Sequence, residues 1–572
     1  MKRLVNVPAF LLLICILGSM LSACIPAASI ADPSDGGILY YDIFIEMDPA
    51  QGIFRSEQTI TIAGSMAKNR KLSVFIGGGL VIDTLTLKDD AGNNIPITSW
   101  QEIGSSTTDN WWGKMVTSEI EIQMAEEIPS EGLLKVNLTY HLPPEAIQDG
   151  LSGNLYNLFV STQGIHAGGP ESGAFLMVSG KLEAPFAMTI THPNTFICAV
   201  PGEAINSEET DGFVTDTYRA EIPYDPSFSC APYNFMSKEI QGLRFEMYVP
   251  KQIDLSPQML DTAAKVLLLY REKFGEPSAR SLRIVFPNML ENVGGGESNG
   301  NLVLLANIQP FLNYDDDETA RSTFVDLVAH EGYHLWNTWS LTWEGSLSEW
   351  WVEGGANFMA SWVKETLQGN QAGASNRFQY LKAFDEQEAY RHKDSLANLD
   401  DGWFEHWSLV YNYGALVWEQ LRLEMGSEAF LAGLRDFYKS QHNQKTGYDD
   451  FITSMQKYTQ VDVAAYLEQW TQRNARINLA LGDVVIQPMN EGYEVQVDLE
   501  MDADRNYEIA TTLGFKTSTG EDWRLIDLPL VKRGQNRIQF ESDERPLEIR
   551  IDPEYRVPQI EMDDNVWVEA GK

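Results

Sequence analysis

The chain has 572 residues, too many for a single core, and 44% apolar with 22% charged residues is the balance of ordinary globular protein. Its formal net charge of −39 argues against a nucleic-acid partner, because phosphates would be repelled; the acidity reads mainly as a solvated surface.

In chain order, the first segment does not read as part of the fold. Lys2 and Arg3 precede an apolar run at residues 8–17, and Leu21-Ser22-Ala23-Cys24 follows. That is a charged n-region, an h-region and a small-residue cleavage site. The L-S-A-C ending resembles a bacterial lipoprotein lipobox. The resemblance implies a signal peptide over residues 1–23, cleavage before Cys24 and lipidation of Cys24. The expected location is then outside the cytoplasm, anchored to a bacterial cell membrane through acyl chains. An ordinary signal peptide followed by a chance cysteine is the alternative. Residues 24–37, small, polar and rich in breakers, read as a tether. Cys15 leaves with the signal, so Cys198 and Cys230 remain either to pair as a disulfide in an oxidising compartment or to stay as two buried thiols.

Residues 38–249 alternate with period two in stretches such as "LYYDIFIEM", "LKVNLTYHL" and "RFEMYV", separated by Gly, Pro, Asn and Asp. They predict an all-β N-terminal domain. The character changes at Pro250. Ser256 is placed to cap a helix with Pro257 in its first turn, and Met259, Leu260, Ala263, Val266, Leu267, Tyr270 and Phe274 recur at helical spacing up to Gly275. "LRIVF" and "LVLLA" read as strands, and helices dominate from Asp317 to about Arg476. Alternation returns over residues 477–572 and predicts a small β-sandwich. The fold class is therefore multidomain α+β: an N-terminal β domain, a mixed β and helical domain over residues 250–476, and a C-terminal β-sandwich.

The chemistry concentrates in "VAHEGYHLWN". His330 and His334 lie four apart on a predicted helix capped by Asp317 or Thr319, so both imidazoles face one side with Cβ atoms about 5–6 Å apart. Two such nitrogens suit zinc, and Glu331 between them is placed to take a proton from water. A catalytic zinc needs a third protein ligand. Glu344, Glu349 and Glu353 are the near candidates. Glu353, opening "EGGANFMASWVKE" as a second helix, is preferred, with the other two as surface carboxylates. Asn357, one turn beyond Glu353, is placed to orient a ligand histidine, although an ordinary polar helix residue is the simpler expectation.

H-E-x-x-H, then eighteen residues, then Glu in "EWWVEGGANF", resembles the gluzincin aminopeptidases, the family of alanyl aminopeptidases and leukotriene-A4 hydrolase. "HLWN" is closer to the related glycyl aminopeptidases. Val352 and Gly355 depart from the usual W-L-N-E-G-F-A segment. The resemblance implies a thermolysin-like catalytic domain and one zinc per chain on His330, His334 and Glu353. "GGGES" is similar to the family's G-x-M-E-N motif, which implies that Gly295, Gly296 and Glu297 line the substrate cleft, with Glu297 on the free α-amino group; Ser298 replaces the usual Asn. "YNYGALV" is similar to the Y-E-K-G segment and puts Tyr411 in the place of the catalytic tyrosine. "STQGIHAGG" resembles the segment whose glutamine reaches the cleft, which makes Gln163 a substrate-binding candidate, although the following A-R pair is absent.

On this reading Glu331 is the general base and Tyr411 the oxyanion donor of an aminopeptidase acting on peptides. An endopeptidase on the same site, and a catalytically silent lipid-anchored scaffold on a peptidase fold, are the alternatives.

Overall fold

The structure, a computed structural model, describes residues 37–110, 113–147, 158–169, 172–287, 296–386, 395–399, 407–473, 477–518, 520, 522–559 and 561–569. The signal segment, Cys24, nearly all of the tether and Gly295 lie outside them.

The chain folds as two compact units. The first comprises the described residues of Met1–Gly150, Tyr156–Thr195 and Val200–Phe228. It is all β. An eight-stranded sheet runs in the order Glu203–Thr210, Phe213–Tyr224, Ala184–Pro193, Ile38–Asp48, Ile53–Ala63, Leu133–His141, Val81–Asp89, Asn94–Ile95. Ile38–Asp48 pairs parallel to Ala184–Pro193 and antiparallel to Ile53–Ala63. Alternate residues of that strand, Tyr41, Ile43, Ile45 and Met47, are buried, which is the period-two pattern turned into a packed face. A three-stranded sheet, Lys71–Gly77, Gly113–Met124 and Ile97–Asn110, completes the unit's larger sheets.

The second unit takes over at Ser229, about twenty residues before the change of character at Pro250. Strands Tyr233–Ile240 and Leu243–Pro250, which their alternation assigns to the N-terminal domain, belong here. They form one five-stranded mixed sheet with Ser281–Val285, Leu302–Leu305 and, at its edge, Gly296–Asn299. Leu243–Pro250 pairs parallel to Ser281–Val285, as that strand does to Leu302–Leu305, and Gly296–Asn299 returns antiparallel. Alternation reports a strand; it does not report which sheet the strand joins. Cys198 and Cys230 face each other in an antiparallel pair and are joined by a disulfide.

Eight helices are described in this unit: α1 (Gln258–Phe274), α2 (Glu318–Asn337), α3 (Gly355–Gln368), α4 (Asn370–Glu386), α5 (Gly414–Met425), α6 (Ser427–Gln441), α7 (Tyr448–Gln456) and α8 (Val463–Thr471). α1 buries all seven residues named from its spacing. It begins at Gln258, with Ser256 Oγ accepting from the Gln258 N–H at 3.2 Å and Pro257 just ahead of the first turn, one position later than expected. α2 is capped by Asp317, whose carboxylate accepts from the Thr319 N–H at 2.8 Å. After α8 come two small sheets: a three-stranded one (Ile477–Pro488, Tyr493–Ala503, Gly534–Ser542) and a four-stranded one (Arg524–Lys532, Glu508–Lys516, Glu548–Ile551, Val566–Val568). Val495, Val497, Leu499 and Met501 point inward into a hydrophobic core continuous with that of the helices.

A buried ionic network joins the last sheets to the helices. Arg422 pairs with Glu419 at 2.7 Å and Glu365 at 3.1 Å; Arg377 pairs with Glu365 at 2.8 Å; Arg556 reaches Glu419 at 2.9 Å and Glu554 at 2.7 Å. Burial opposes ionisation of Glu419, but Arg422, Arg556 and Arg377 outweigh it and bring its carboxyl down to about 2.

Candidate metal centre and active site

The site is built where α2 meets two π-helical turns. Trp350–Gly354 precedes α3, and Leu409–Tyr413 precedes α5. Such turns carry one extra residue and gather at functional sites. Glu353 is on the first and Tyr411 on the second, so Glu353 sits in a wound turn ahead of α3 and is not the first residue of a regular helix. The two turns approach closely: a Cβ on Gly354 would lie 2.9 Å from the Val410 carbonyl oxygen, and one on Gly414 would lie 3.1 Å from the Trp350 ring. Glycine at both positions permits the contact.

His330, His334 and Glu353 each offer a ligand atom, all within 4.8 Å of one another. Glu353 Oε2 is buried and lies 3.3 Å from His330 Nε2 and 3.8 Å from His334 Nε2. The outer nitrogens are engaged: His330 Nδ1 with Asn357 Oδ1 at 2.9 Å, His334 Nδ1 with Asn337 Oδ1 and Thr338 Oγ1, each at 3.1 Å. An amide oxygen can only accept, so each Nδ1 carries a proton and each Nε2 faces inward, where it can give its lone pair to an ion once it is deprotonated. Two imidazole nitrogens and a carboxylate oxygen converging in this way fit a divalent ion of the zinc type. Asn357 is therefore more than a polar helix residue.

Glu344 is exposed and pairs with Lys445 at 3.0 Å, outside the cluster. Glu349 is half-buried one turn before Glu353; burial, and then the Glu353 charge, push its carboxyl up to about 7. Glu331 is buried. Burial lifts its carboxyl to about 7, with Glu353 adding and His330 partly offsetting. Burial pulls His330 down, yet Glu353 and Glu331 outweigh it and raise the imidazole to about 9; His334 is lowered by burial to about 4.

The Tyr411 ring stacks on the His330 imidazole, with centroids 6.0 Å apart and planes 4° from parallel. Burial opposes ionisation of Glu353, but His330 first, then His334 and the Tyr411 hydroxyl, outweigh it and hold the carboxyl below the usual range. Gly296 touches Glu331: a Cβ there would lie 2.7 Å from Glu331 Oε1. Its absent side chain clears space for the carboxylate. Glu297, next along this edge strand, is half-buried and accepts from Asn299 Nδ2 at 2.9 Å.

Gln163 belongs to the first unit, on the exposed turn between Phe159–Ser161 and Gly164–Ala167, where its N–H donates to Ser161 Oγ at 3.2 Å. His141, His166, His192 and His442 join no metal-type cluster among the described residues. Sequence reasoning passed over Asn337, which carries no motif of its own; its only signal is a buried polar residue three positions after a ligand histidine.

An H-E-x-x-H helix faces a carboxylate on the next helical segment, beside a mixed sheet with an edge strand, and the three ligand atoms fit a metal centre. Residues 259–470 match the family model described as the peptidase family M1 domain. A stretch of 231 residues, 37% of this chain, is 25% identical to aminopeptidase N of Lactococcus lactis subsp. lactis and spans 26% of that protein. The fold is similar to that of Legionella pneumophila aminopeptidase A, solved in complex with aspartic acid: TM-score 0.64, 16% identity, covering 92% of this chain and 59% of that one. The chain thus spans well under two thirds of the length of these relatives. The architecture, a sheet-rich N-terminal part followed by a largely helical region, resembles that of the M1 aminopeptidases.

Proposed function

We propose that this protein is a zinc-dependent aminopeptidase acting on peptides outside the cytoplasm, held at a membrane through lipid on Cys24. The observation that carries the enzymatic reading is the convergence of His330 Nε2, His334 Nε2 and Glu353 Oε2 beside the buried Glu331 carboxylate. Zinc bound there supplies Lewis acidity and acidifies water toward about pH 7.

The chain's own residues do the rest. Glu331, buried beside the ligand cluster, accepts the proton from the attacking water at a carboxylate oxygen and returns it to the leaving amine. Tyr411, fixed against His330, offers its O–H to the developing oxyanion. The edge strand Gly296–Asn299 offers backbone groups on which an extended peptide can lie. Glu297 on that strand pairs with the substrate ammonium, which makes the enzyme measure one residue from a free N-terminus.

The test is incubation with a mixture of free and N-acetylated peptides, with and without chelator. Chelator-sensitive release of N-terminal residues is expected. Acetylation removes the charge that Glu297 recognises, a penalty of roughly 2–5 kcal/mol, or about 30- to several-thousand-fold. Glu297→Ala should erase most of that discrimination with the metal still bound. Equal cleavage of free and blocked peptides at internal bonds sinks the exopeptidase reading and leaves a zinc endopeptidase. For the anchor, mass spectrometry of the protein from its native membrane should find Cys24 as an acylated N-terminus; an unmodified Cys24 refutes it.

A further inference from the structure

The two asparagines beside the metal ligands share one design. Asn337 Oδ1 accepts from His334 Nδ1 at 3.1 Å and from the Thr338 hydroxyl at 3.0 Å, the latter oxygen also standing 3.1 Å from His334 Nδ1, while its Nδ2 donates to the carbonyls of Trp351 at 3.2 Å and Val352 at 2.8 Å. Those carbonyls belong to the turn that carries Glu353. Asn357 Oδ1 accepts from His330 Nδ1 at 2.9 Å, while its Nδ2 donates to the Tyr411 carbonyl at 3.1 Å, in the turn that carries the tyrosine. Asn357 is itself held, its backbone carbonyl accepting from Tyr380 O–H at 2.9 Å. Asn337 is 1% exposed and its carbonyl accepts from Trp351 Nε1 at 2.7 Å.

A π-helical turn leaves carbonyls poorly matched to the helical ladder, and a buried carbonyl must find a donor. A ligand imidazole needs an acceptor at its outer nitrogen to fix tautomer and orientation. A carboxylate satisfies the second need only. A primary amide satisfies both at once, and because its Nδ2 is committed to carbonyls, its oxygen must face the imidazole.

We propose that Asn337 and Asn357 are paired positioning residues, each locking one histidine ligand to a separate part of the site: Asn337 couples His334 to Glu353, and Asn357 couples His330 to Tyr411. The zinc consequences rest on the ligand cluster alone; only the kinetic consequences rest on the peptidase reading. Loss of both arms, as in Asn337→Leu or Asn357→Leu, weakens zinc binding. Aspartate keeps an acceptor for the imidazole and loses the donor. In Asn357→Asp, the broken arm leads to Tyr411, which is not a ligand, so zinc affinity is retained and turnover falls. In Asn337→Asp, the broken arm leads to the third ligand, so zinc affinity stays low.

The experiment uses the full chain. Zinc affinity is measured by competition with a chromophoric chelator, folding by thermal melting, and kcat and KM on an amino-acid anilide with a free amino group. The leucine variants are expected to lose zinc affinity about 10- to 100-fold. Asn357→Asp should bind zinc like the parent and lose about tenfold or more in kcat, with KM little changed. That loss should vanish when Asn357→Asp is made in a Tyr411→Phe background. If the leucine variants do not fold, the near-isosteric aspartates decide. Parental zinc affinity in folded leucine variants overturns the proposal, as does equal behaviour of the two aspartate variants. A parent that binds zinc with this pattern of variants and cleaves no peptide leaves the positioning roles standing and removes the peptidase reading.

Discussion

Gly296 and Glu331 are in contact so close that any side chain on the glycine would occupy the carboxylate's space, its Cβ 2.7 Å from Oε1 and 3.1 Å from the carboxyl carbon. Backbone strain is not the issue here; clearance is. Gly296→Ala should push Glu331 out of line at an overpacking cost of about 1–3 kcal/mol. The expected outcome is a fall in kcat with zinc content unchanged, measured by steady-state kinetics beside metal analysis. Unchanged kcat would mean that the edge strand yields instead.

Glu331→Gln should keep zinc and fold and lose turnover by about 10²–10⁴-fold, because an amide cannot accept the proton. The shape is preserved and Glu331 is not one of the three ligands. Near-parental turnover removes Glu331 as the base.

Glu353→Ala should release most of the metal, since two imidazoles alone leave the ion under-coordinated. Glu344→Ala and Glu349→Ala should retain it. Elemental analysis after dialysis separates them, and loss in Glu349→Ala with retention in Glu353→Ala would reassign the third ligand.

Glu419 gives an acid-stability prediction. Its carboxyl is lowered to about 2 in the fold, against roughly 4.3 in an unfolded chain. A depressed carboxyl contributes stability above the unfolded value and loses it as pH falls through the folded one. The difference in melting temperature between parent and Glu419→Gln should therefore be full above about pH 4.5 and shrink toward pH 2. A difference that holds constant across that window would contradict the coupling to Arg422 and Arg556.

Removing Arg556 should be costlier than removing a surface arginine. Arg556→Ala leaves Glu419 and Glu554 buried with fewer partners, and breaking a buried pair costs about 3–5 kcal/mol. Chemical denaturation should show it; a loss below about 1 kcal/mol, the scale of an exposed pair, would argue that the network is well hydrated.

The sequence made the helix of His330 and His334 legible because its signals are local: an aspartate cap, a 3.6-residue period and a four-residue spacing. The same holds for α1 and for the strands at residues 282–286 and 302–306. Three features were not legible, one because its local pattern is ambiguous and two because their partners are distant in the chain. The pattern opens the second helix at Glu353, and nothing in "WWVEG" announces a wider turn ahead of it. Asn337 gains its role from carbonyls fourteen and fifteen positions away. Arg556 meets Glu419 and Glu554 only after the last sheets have packed on the helices. The strand at residues 243–250 shows the complementary failure: its pattern was read correctly as β, while its neighbours, and so its unit, are set by pairing.

The wider turn at Trp350–Gly354 makes the site sensitive to residue count as well as residue identity. Removing one residue there, Val352 for instance, would let the segment relax into an ordinary helix with a better backbone ladder. Everything on one side would then rotate by about 100° relative to the other, carrying the Glu353 carboxylate away from both imidazoles while α2 stayed intact. A single in-frame deletion there is expected to abolish metal binding while the H-E-x-x-H helix itself remains.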